Sequence, residues 1–73
     1  MSIKLKKIET NERVEGFYVY LSNGHRTFVL KSFTGEYLWI YENKYPVERV
    51  VYKDSMISMI TEILEHYNDR ENN

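Results

Sequence analysis

The chain has 73 residues, a length that supports one domain with a core near the lower limit for independent folding. Its formal net charge of −1 argues against a strongly basic DNA-binding protein, and its lack of cysteine excludes disulfides, thiolate chemistry and cysteine–zinc sites. The first residues lack the apolar run of a signal peptide, and no stretch is long enough to span a bilayer. We therefore expect a cytoplasmic protein with no membrane partner.

The first predicted element is an edge strand. Residues 3–8 alternate apolar and basic side chains, a pattern typical of a half-buried strand at the edge of a sheet. With a short turn after it, Ile3 would lie opposite Val19 on the core face of the sheet. Lys4 and Lys6 would then lie on the other face.

A β-hairpin follows, with strands at residues 17–21 and 26–31 that are rich in aromatic and β-branched side chains. Asn23-Gly24 favours a two-residue type I′ turn, because both central positions of that turn need a positive φ. This turn would pair Leu21 with Arg26 and Val19 with Phe28.

The second predicted hairpin turns at residues 33–35. A three-residue loop with Gly35 in the left-handed conformation keeps the two faces of the sheet separate. It pairs Leu30 with Leu38 on the core face and Val29 with Trp39 on the other. It also sets Arg26 opposite Glu42, a complementary pair of charges.

The end of the chain predicts a helix. Residues 47–52 form either a short fifth strand or an extended connection, and Asp54 or Ser55 then caps a helix that ends near Asn68. The apolar residues on one side of this helix are Met56, Ile57, Met59, Ile60, Ile63, Leu64 and Tyr67.

These elements predict an α+β fold: a four-stranded antiparallel β-meander, with the optional fifth strand, and one C-terminal amphipathic helix on one face. Residues 1–68 form a single domain in this interpretation, and residues 69–73 a frayed tail.

One helix covers only one face, so the other face of the sheet is expected to be the functional surface. On the predicted registers that face is aromatic and basic and has no acidic residue. The predicted ligand-binding residues are Lys4, Lys6, Tyr18, Tyr20, Lys31, Tyr37, Trp39 and Tyr41. Flat rings stack on splayed bases and lysines bind phosphates, so the set favours single-stranded nucleic acid as the ligand. The predicted layout also resembles that of PC4-like single-stranded-DNA-binding domains, whose sheet contacts nucleic acid and which dimerise.

Two alternatives stay open for the same face. Tyrosine and tryptophan also dominate protein interfaces, so the chain is alternatively a protein-interaction module. It would then form a homodimer through this face, or act as a small phage or mobile-element inhibitor of a host protein. The second alternative involves no partner: residues 43–53 of the chain itself fold back and cover part of the face.

Catalytic, metal and cofactor sites are not predicted. His25 lies in a turn and His66 on the helix, without the spacing of metal ligands around either. The chain has no strained nucleophile turn and no Gly-rich phosphate loop. We therefore expect a binding protein rather than an enzyme.

Overall fold

The structure is a computed structural model that describes residues 2–11, 13, 15–42 and 45–71. Five antiparallel strands form one sheet in chain order, and a C-terminal helix packs on one face of it. The elements are β1 (Leu5–Asn11), β2 (Gly16–Leu21), β3 (Arg26–Lys31), β4 (Tyr37–Glu42), β5 (Tyr45–Lys53) and α1 (Met56–Glu71). The α+β class and the meander order are confirmed, and the optional fifth strand is present and longer than predicted.

Both central hairpins close with the same kind of turn. Gly24 and Gly35 have φ values of 88° and 87°, in the left-handed region that glycine adopts without strain. In the first turn the Leu21 amide donates to the His25 carbonyl (2.9 Å) and the Gly24 amide donates to the Leu21 carbonyl (3.1 Å). Residues 22–24 therefore form a three-residue loop with a glycine bulge, as residues 33–35 do.

This turn corrects the predicted register of the first hairpin by one residue. Tyr20 pairs with Arg26 and Val19 with Thr27, where a two-residue turn would have paired Val19 with Phe28. Because side chains alternate between faces, the shift turns β3 over relative to β2. The strand β4 turns with β3, since Val29 still pairs with Trp39 as predicted.

This register shift changes which side chains of β3 and β4 lie on each face of the sheet. Thr27, Val29 and Trp39 lie on the face that α1 covers, together with Val19 of β2. Three of the residues predicted for the core on these two strands lie on the uncovered face instead; they are Phe28, Leu30 and Leu38.

Register shifts also occur in three other strand pairs, β1–β2, β3–β4 and β4–β5. Phe28 pairs with Tyr41 and Val29 with Trp39, so Ile40 is an extra residue in β4. Because of this extra residue, the Tyr41 side chain lies on the uncovered face, whereas Trp39, two residues before it, lies on the covered face. In β1 the register shifts between Leu5 and Lys7.

The predicted register of β1 is also wrong. Ile8 lies opposite Val19, the position predicted for Ile3. Ile3 precedes the strand and is 4% exposed beneath the helix. The Asn68 side chain accepts a hydrogen bond from the Ile3 amide (2.7 Å) and donates one to the Ile3 carbonyl (3.1 Å), which anchors the start of the chain to the end of α1.

The core lies between α1 and the covered face. Met59, Ile63 and Tyr67 project from the helix onto Val19, Leu21, Val29 and Trp39 of the sheet. Ser55 caps the helix, since its hydroxyl accepts a hydrogen bond from the Ser58 amide (3.1 Å). The helix continues through Glu71, beyond the predicted end at Asn68; residues 72 and 73 of the predicted tail, and residues 43 and 44, lie outside the described residues.

We predict that Gly16→Ala destabilises the protein. A methyl group at residue 16 would lie 2.5 Å from Phe28 Cζ and 2.6 Å from the Val29 carbonyl oxygen. Alanine in a strand gains about 0.5–1 kcal/mol over glycine, whereas overpacking costs about 1–3 kcal/mol, so the net change is a loss. Urea unfolding followed by circular dichroism measures it.

The double variant Gly16→Ala/Phe28→Leu separates the two contacts. The ring can move but the carbonyl belongs to the sheet, so we expect the smaller side chain to restore only part of the loss. A Gly16→Ala protein as stable as the wild type would contradict the close packing of β2 on β3.

Candidate functional site

The candidate site is the face of the sheet that α1 leaves uncovered, called the open face below. Its apolar and aromatic residues come from the four strands β2 to β5: Tyr18, Tyr20, Phe28, Leu30, Leu38, Tyr41 and Tyr52. The side chains of the central strands are half-buried by their neighbours, whereas Tyr41 and Tyr52 are 43% and 63% exposed. The open face is therefore apolar at its centre, with exposed tyrosines toward β5.

Glycine creates the centre of this surface. Gly16 has no side chain on the open face, and the Phe28 ring lies in the space that a side chain would fill. The Tyr18 ring packs beside Phe28, with 5.0 Å between the ring centroids. Rings from neighbouring strands therefore pack against each other at the centre of the open face.

Charged residues occupy the β1 and β2 side of the open face. The Arg26 guanidinium lies 4.7 Å from the centroid of the Tyr18 ring and donates a hydrogen bond to the Tyr20 hydroxyl (3.3 Å). Lys7 Nζ lies 4.7 Å from the centroid of the Tyr20 ring and 3.5 Å from a Glu9 carboxylate oxygen. Both tyrosine rings thus already carry a cation, and a carboxylate is present where the sequence predicted none.

Three residues of the predicted site lie on the covered face. Trp39 is 2% exposed in the core, Tyr37 packs against that core, and Lys31 pairs with Tyr37. The one-residue register shift explains all three displacements. Trp39 therefore cannot stack on a ligand from the open face.

Two other predicted residues lie near the start of the sheet. Lys4 precedes β1, where its amide donates to the Ser22 hydroxyl (2.9 Å), and Lys6 lies in the β1 bulge. Of the eight predicted residues, the structure brings together Tyr18, Tyr20 and Tyr41 on the open face.

The covered face holds a polar cluster that sequence reasoning missed. The Trp39 indole donates hydrogen bonds to the Thr27 hydroxyl (2.7 Å) and the Tyr41 carbonyl (2.9 Å). Thr27, itself 2% exposed, donates to the same carbonyl. These contacts satisfy the buried indole N–H, which would otherwise be left without a partner in the core.

Glu42 connects this cluster to the helix. Its carboxylate lies 3.2 Å from His66 Nε2 and 2.6 Å from Arg70 Nη1, and the His66 ring packs edge-on against Trp39 with 5.1 Å between centroids. The prediction that Glu42 pairs with Arg26 is wrong, because the bulge shifts the end of β4 by one residue. The spacing of His66 and Arg70, one helical turn apart, was the one local signal that they share a partner.

Tyr67 completes the cluster. Its side chain is 5% exposed, and its hydroxyl has no hydrogen-bond partner among the described residues. Burial raises the pKa of the Tyr67 hydroxyl above its ordinary value of 10.0, and the nearby Glu42 carboxylate raises it further. The neutral form of Tyr67 is thus the form that the fold favours.

The described residues offer no metal site or membrane span. No group of three or more His, Asp or Glu side chains within them could hold a metal ion. No helix in the same part of the chain has the length and apolar character needed to cross a bilayer. A shallow cleft of about 480 Å³ beside Phe17, Lys31 and Phe33 lies at one end of the sheet, largely open to solvent.

Comparison with protein-family models, curated proteins and solved structures finds no match to the chain. The functional argument therefore depends on the geometry of the open face.

We predict that Tyr67→Phe is neutral or stabilising near pH 7 and increasingly stabilising at alkaline pH. Removing a buried hydroxyl without a partner raises the free energy of unfolding by up to about 1 kcal/mol. Above pH 10.0 the unfolded chain loses the Tyr67 proton while the folded chain retains it, so the wild type loses stability as pH rises. The variant lacks this loss.

Urea unfolding of both proteins at pH 7 and at about pH 11 measures the difference. Tyr52→Phe is the control, because the Tyr52 side chain is 63% exposed and has no buried hydroxyl to lose. A stability difference between Tyr67→Phe and wild type that stays constant with pH would contradict the prediction.

Proposed function

We propose that the chain is a small non-enzymatic protein-interaction module that binds its partner through the open face. One observation carries the proposal. The central side chains Phe28, Leu30 and Leu38 are uncharged and apolar, and tyrosines and an arginine surround them.

This arrangement has the composition of a protein interface. The centres of such interfaces are depleted in charged residues and enriched in aromatic residues and arginine, whereas lysine and glutamate are depleted. On the open face, Lys7 and Glu9 lie on β1 at the edge of the sheet, away from Leu30 and Leu38. The exposed Tyr41 and Tyr52 side chains extend this half-buried apolar centre toward β5, and apolar surface left uncovered on a small protein marks an interaction site.

The same geometry weighs against single-stranded nucleic acid. Bases would need to displace Arg26 from the Tyr18 ring and Lys7 from the Tyr20 ring before they could stack. Trp39, the largest ring of the predicted set, is in the core. Leucine side chains at the centre of the face offer neither a stacking surface nor a charge for phosphate.

Oligonucleotide titration tests the proposal against the nucleic-acid alternative. A fluorescent single-stranded DNA is titrated with the protein, and anisotropy is followed at about 50 and about 200 mM salt. We expect no binding tighter than the about 10⁻⁴–10⁻⁶ M typical of non-specific contacts. Trp39 emission should be blue-shifted, as for a buried indole, and unchanged by the oligonucleotide.

The variant Tyr18→Ser and the control Tyr45→Ser identify the binding surface. Tyr45 is 74% exposed and pairs with Glu42 at the end of β4. Tight, salt-dependent binding that Tyr18→Ser abolishes and Tyr45→Ser leaves intact would overturn the protein-interaction proposal in favour of nucleic acid.

A further inference from the structure

We infer that residues 3–9 form a detachable strap, held by a clasp at Ile3, whose release leaves the rest of the fold intact and uncovers the Tyr20 side of the open face. The strap consists of the residues that lead into β1 and most of that strand. Its release is a property of the fold whatever binds the open face. Only the effect of release on binding rests on the proposed function.

The strap contributes little to the core. Leu5 lies opposite Leu21, and Ile8 lies opposite Val19. The two β2 side chains are 1% and 0% exposed, whereas those of the strap are 38% and 39% exposed. The helix therefore covers β2 and stops short of β1, and Ile3 is the one buried side chain of the strap.

A clasp at one end holds the strap. Ile3 is 4% exposed beneath α1, and the Asn68 side chain hydrogen-bonds both its amide (2.7 Å) and its carbonyl (3.1 Å). The next residue makes a second reciprocal pair, because the Lys4 amide donates to the Ser22 hydroxyl (2.9 Å) and the Ser22 amide donates to the Lys4 carbonyl (2.8 Å). The attachment is thus concentrated in residues 3 and 4.

The remainder of the strap is held by exposed contacts. The pairing of β1 with β2 shifts between Leu5 and Lys7, so the ladder is interrupted next to the clasp. β1 is an edge strand, and residues 4–10 are all exposed. Segments with few buried apolar contacts and solvent-exposed backbone hydrogen bonds open at a lower free energy than the whole protein unfolds. Release of Ile3 is therefore the step that frees the strap.

Release changes the open face. Lys7 belongs to the strap, and its Nζ lies 4.7 Å from the centroid of the Tyr20 ring. When the strap leaves, the Tyr20 ring loses this cation. The edge of β2 also loses its neighbour, so backbone groups such as the Ser22 amide become free to pair. A clasp on the covered face thereby controls part of the surface on the opposite face.

Hydrogen exchange of the full chain, followed by NMR, tests the strap because two neighbouring amides have different partners. The Ser22 amide donates to the strap, and the Leu21 amide donates to the His25 carbonyl of the hairpin (2.9 Å). We expect Ser22 to exchange at least about 30-fold faster than Leu21, relative to their intrinsic rates. Its exchange should also depend less on urea, since opening the strap exposes less surface than unfolding does.

The opposite result is equally clear. Equal rates for the two amides, with one steep urea dependence, would mean that residues 3–9 unfold only with the whole protein. That outcome would overturn the inference.

Ile3→Asp tests the clasp, and Leu5→Asp is its matched control. The first substitution places a charge in the core, so we expect the Ser22 amide to lose its protection. The Leu21 amide should stay protected and Trp39 emission should stay blue-shifted, because the rest of the fold persists. Leu5 is already 38% exposed, and the same charge there should change Ser22 exchange less than about 10-fold. Wild-type protection of Ser22 in Ile3→Asp would contradict the clasp.

Asn68→Ala is a milder variant that decides the outcome if Ile3→Asp does not fold. It removes both hydrogen bonds of the clasp and keeps Ile3, so we expect Ser22 exchange to accelerate about 10-fold. Asp69→Ala is the control, because this exposed neighbour has no part in the clasp and the rate should not change. An Asn68→Ala protein with the wild-type rate would overturn the inference.

The Lys7 side-chain resonances test the effect on the open face. In the wild type the Tyr20 ring current shifts the protons next to Lys7 Nζ upfield. We expect the shift to persist in Leu5→Asp and to disappear in Ile3→Asp. A shift that persists while Ser22 is unprotected would overturn the link between the clasp and the open face. The oligonucleotide titration tests the proposed function separately, since it does not depend on the clasp.

Discussion

The length of the first hairpin loop determines which side chains this protein buries. The loop has three residues, 22–24, rather than two, so Leu21 lies opposite His25 and Tyr20 opposite Arg26. Because side chains alternate along a strand, this single residue decides which face of β3 and β4 meets the helix. The core, the polar cluster and the open face all depend on it.

The register places Trp39 in the core, where its indole N–H needs a hydrogen-bond acceptor. The Thr27 hydroxyl and the Tyr41 carbonyl accept hydrogen bonds from the Trp39 indole N–H. The bulge at Ile40 lies between Trp39 and Tyr41 in β4. A bulge removes backbone groups from the regular ladder, and here the Tyr41 carbonyl receives side-chain donors while the Tyr41 ring lies on the open face. One irregularity therefore contributes to the buried cluster and to the candidate interface.

The sequence predicted the fold class, a helix cap at Asp54 or Ser55 and the loop at Gly35, because each depends on local chemistry, and the structure places the cap at Ser55. It predicted the wrong length for the first loop, because Asn23-Gly24 favours a two-residue type I′ turn, whereas a three-residue loop also places Gly24 in the left-handed conformation. Hydrophobic alternation could not correct the choice, because both faces of β3 and β4 are apolar. Glu42 and His66 are 24 residues apart in the chain, and no local pattern predicts their contact.

The register is also the basis of the proposed function. Had β3 and β4 faced the other way, the open face would have carried Trp39 and Lys31, a stacking ring and a cation suited to nucleic acid. In the structure these residues lie on the covered face, and the leucines and Phe28 replace them. An apolar sheet face costs free energy in water, and a partner that covers it would remove this cost. The argument for a protein partner thus follows from the same turn that builds the core.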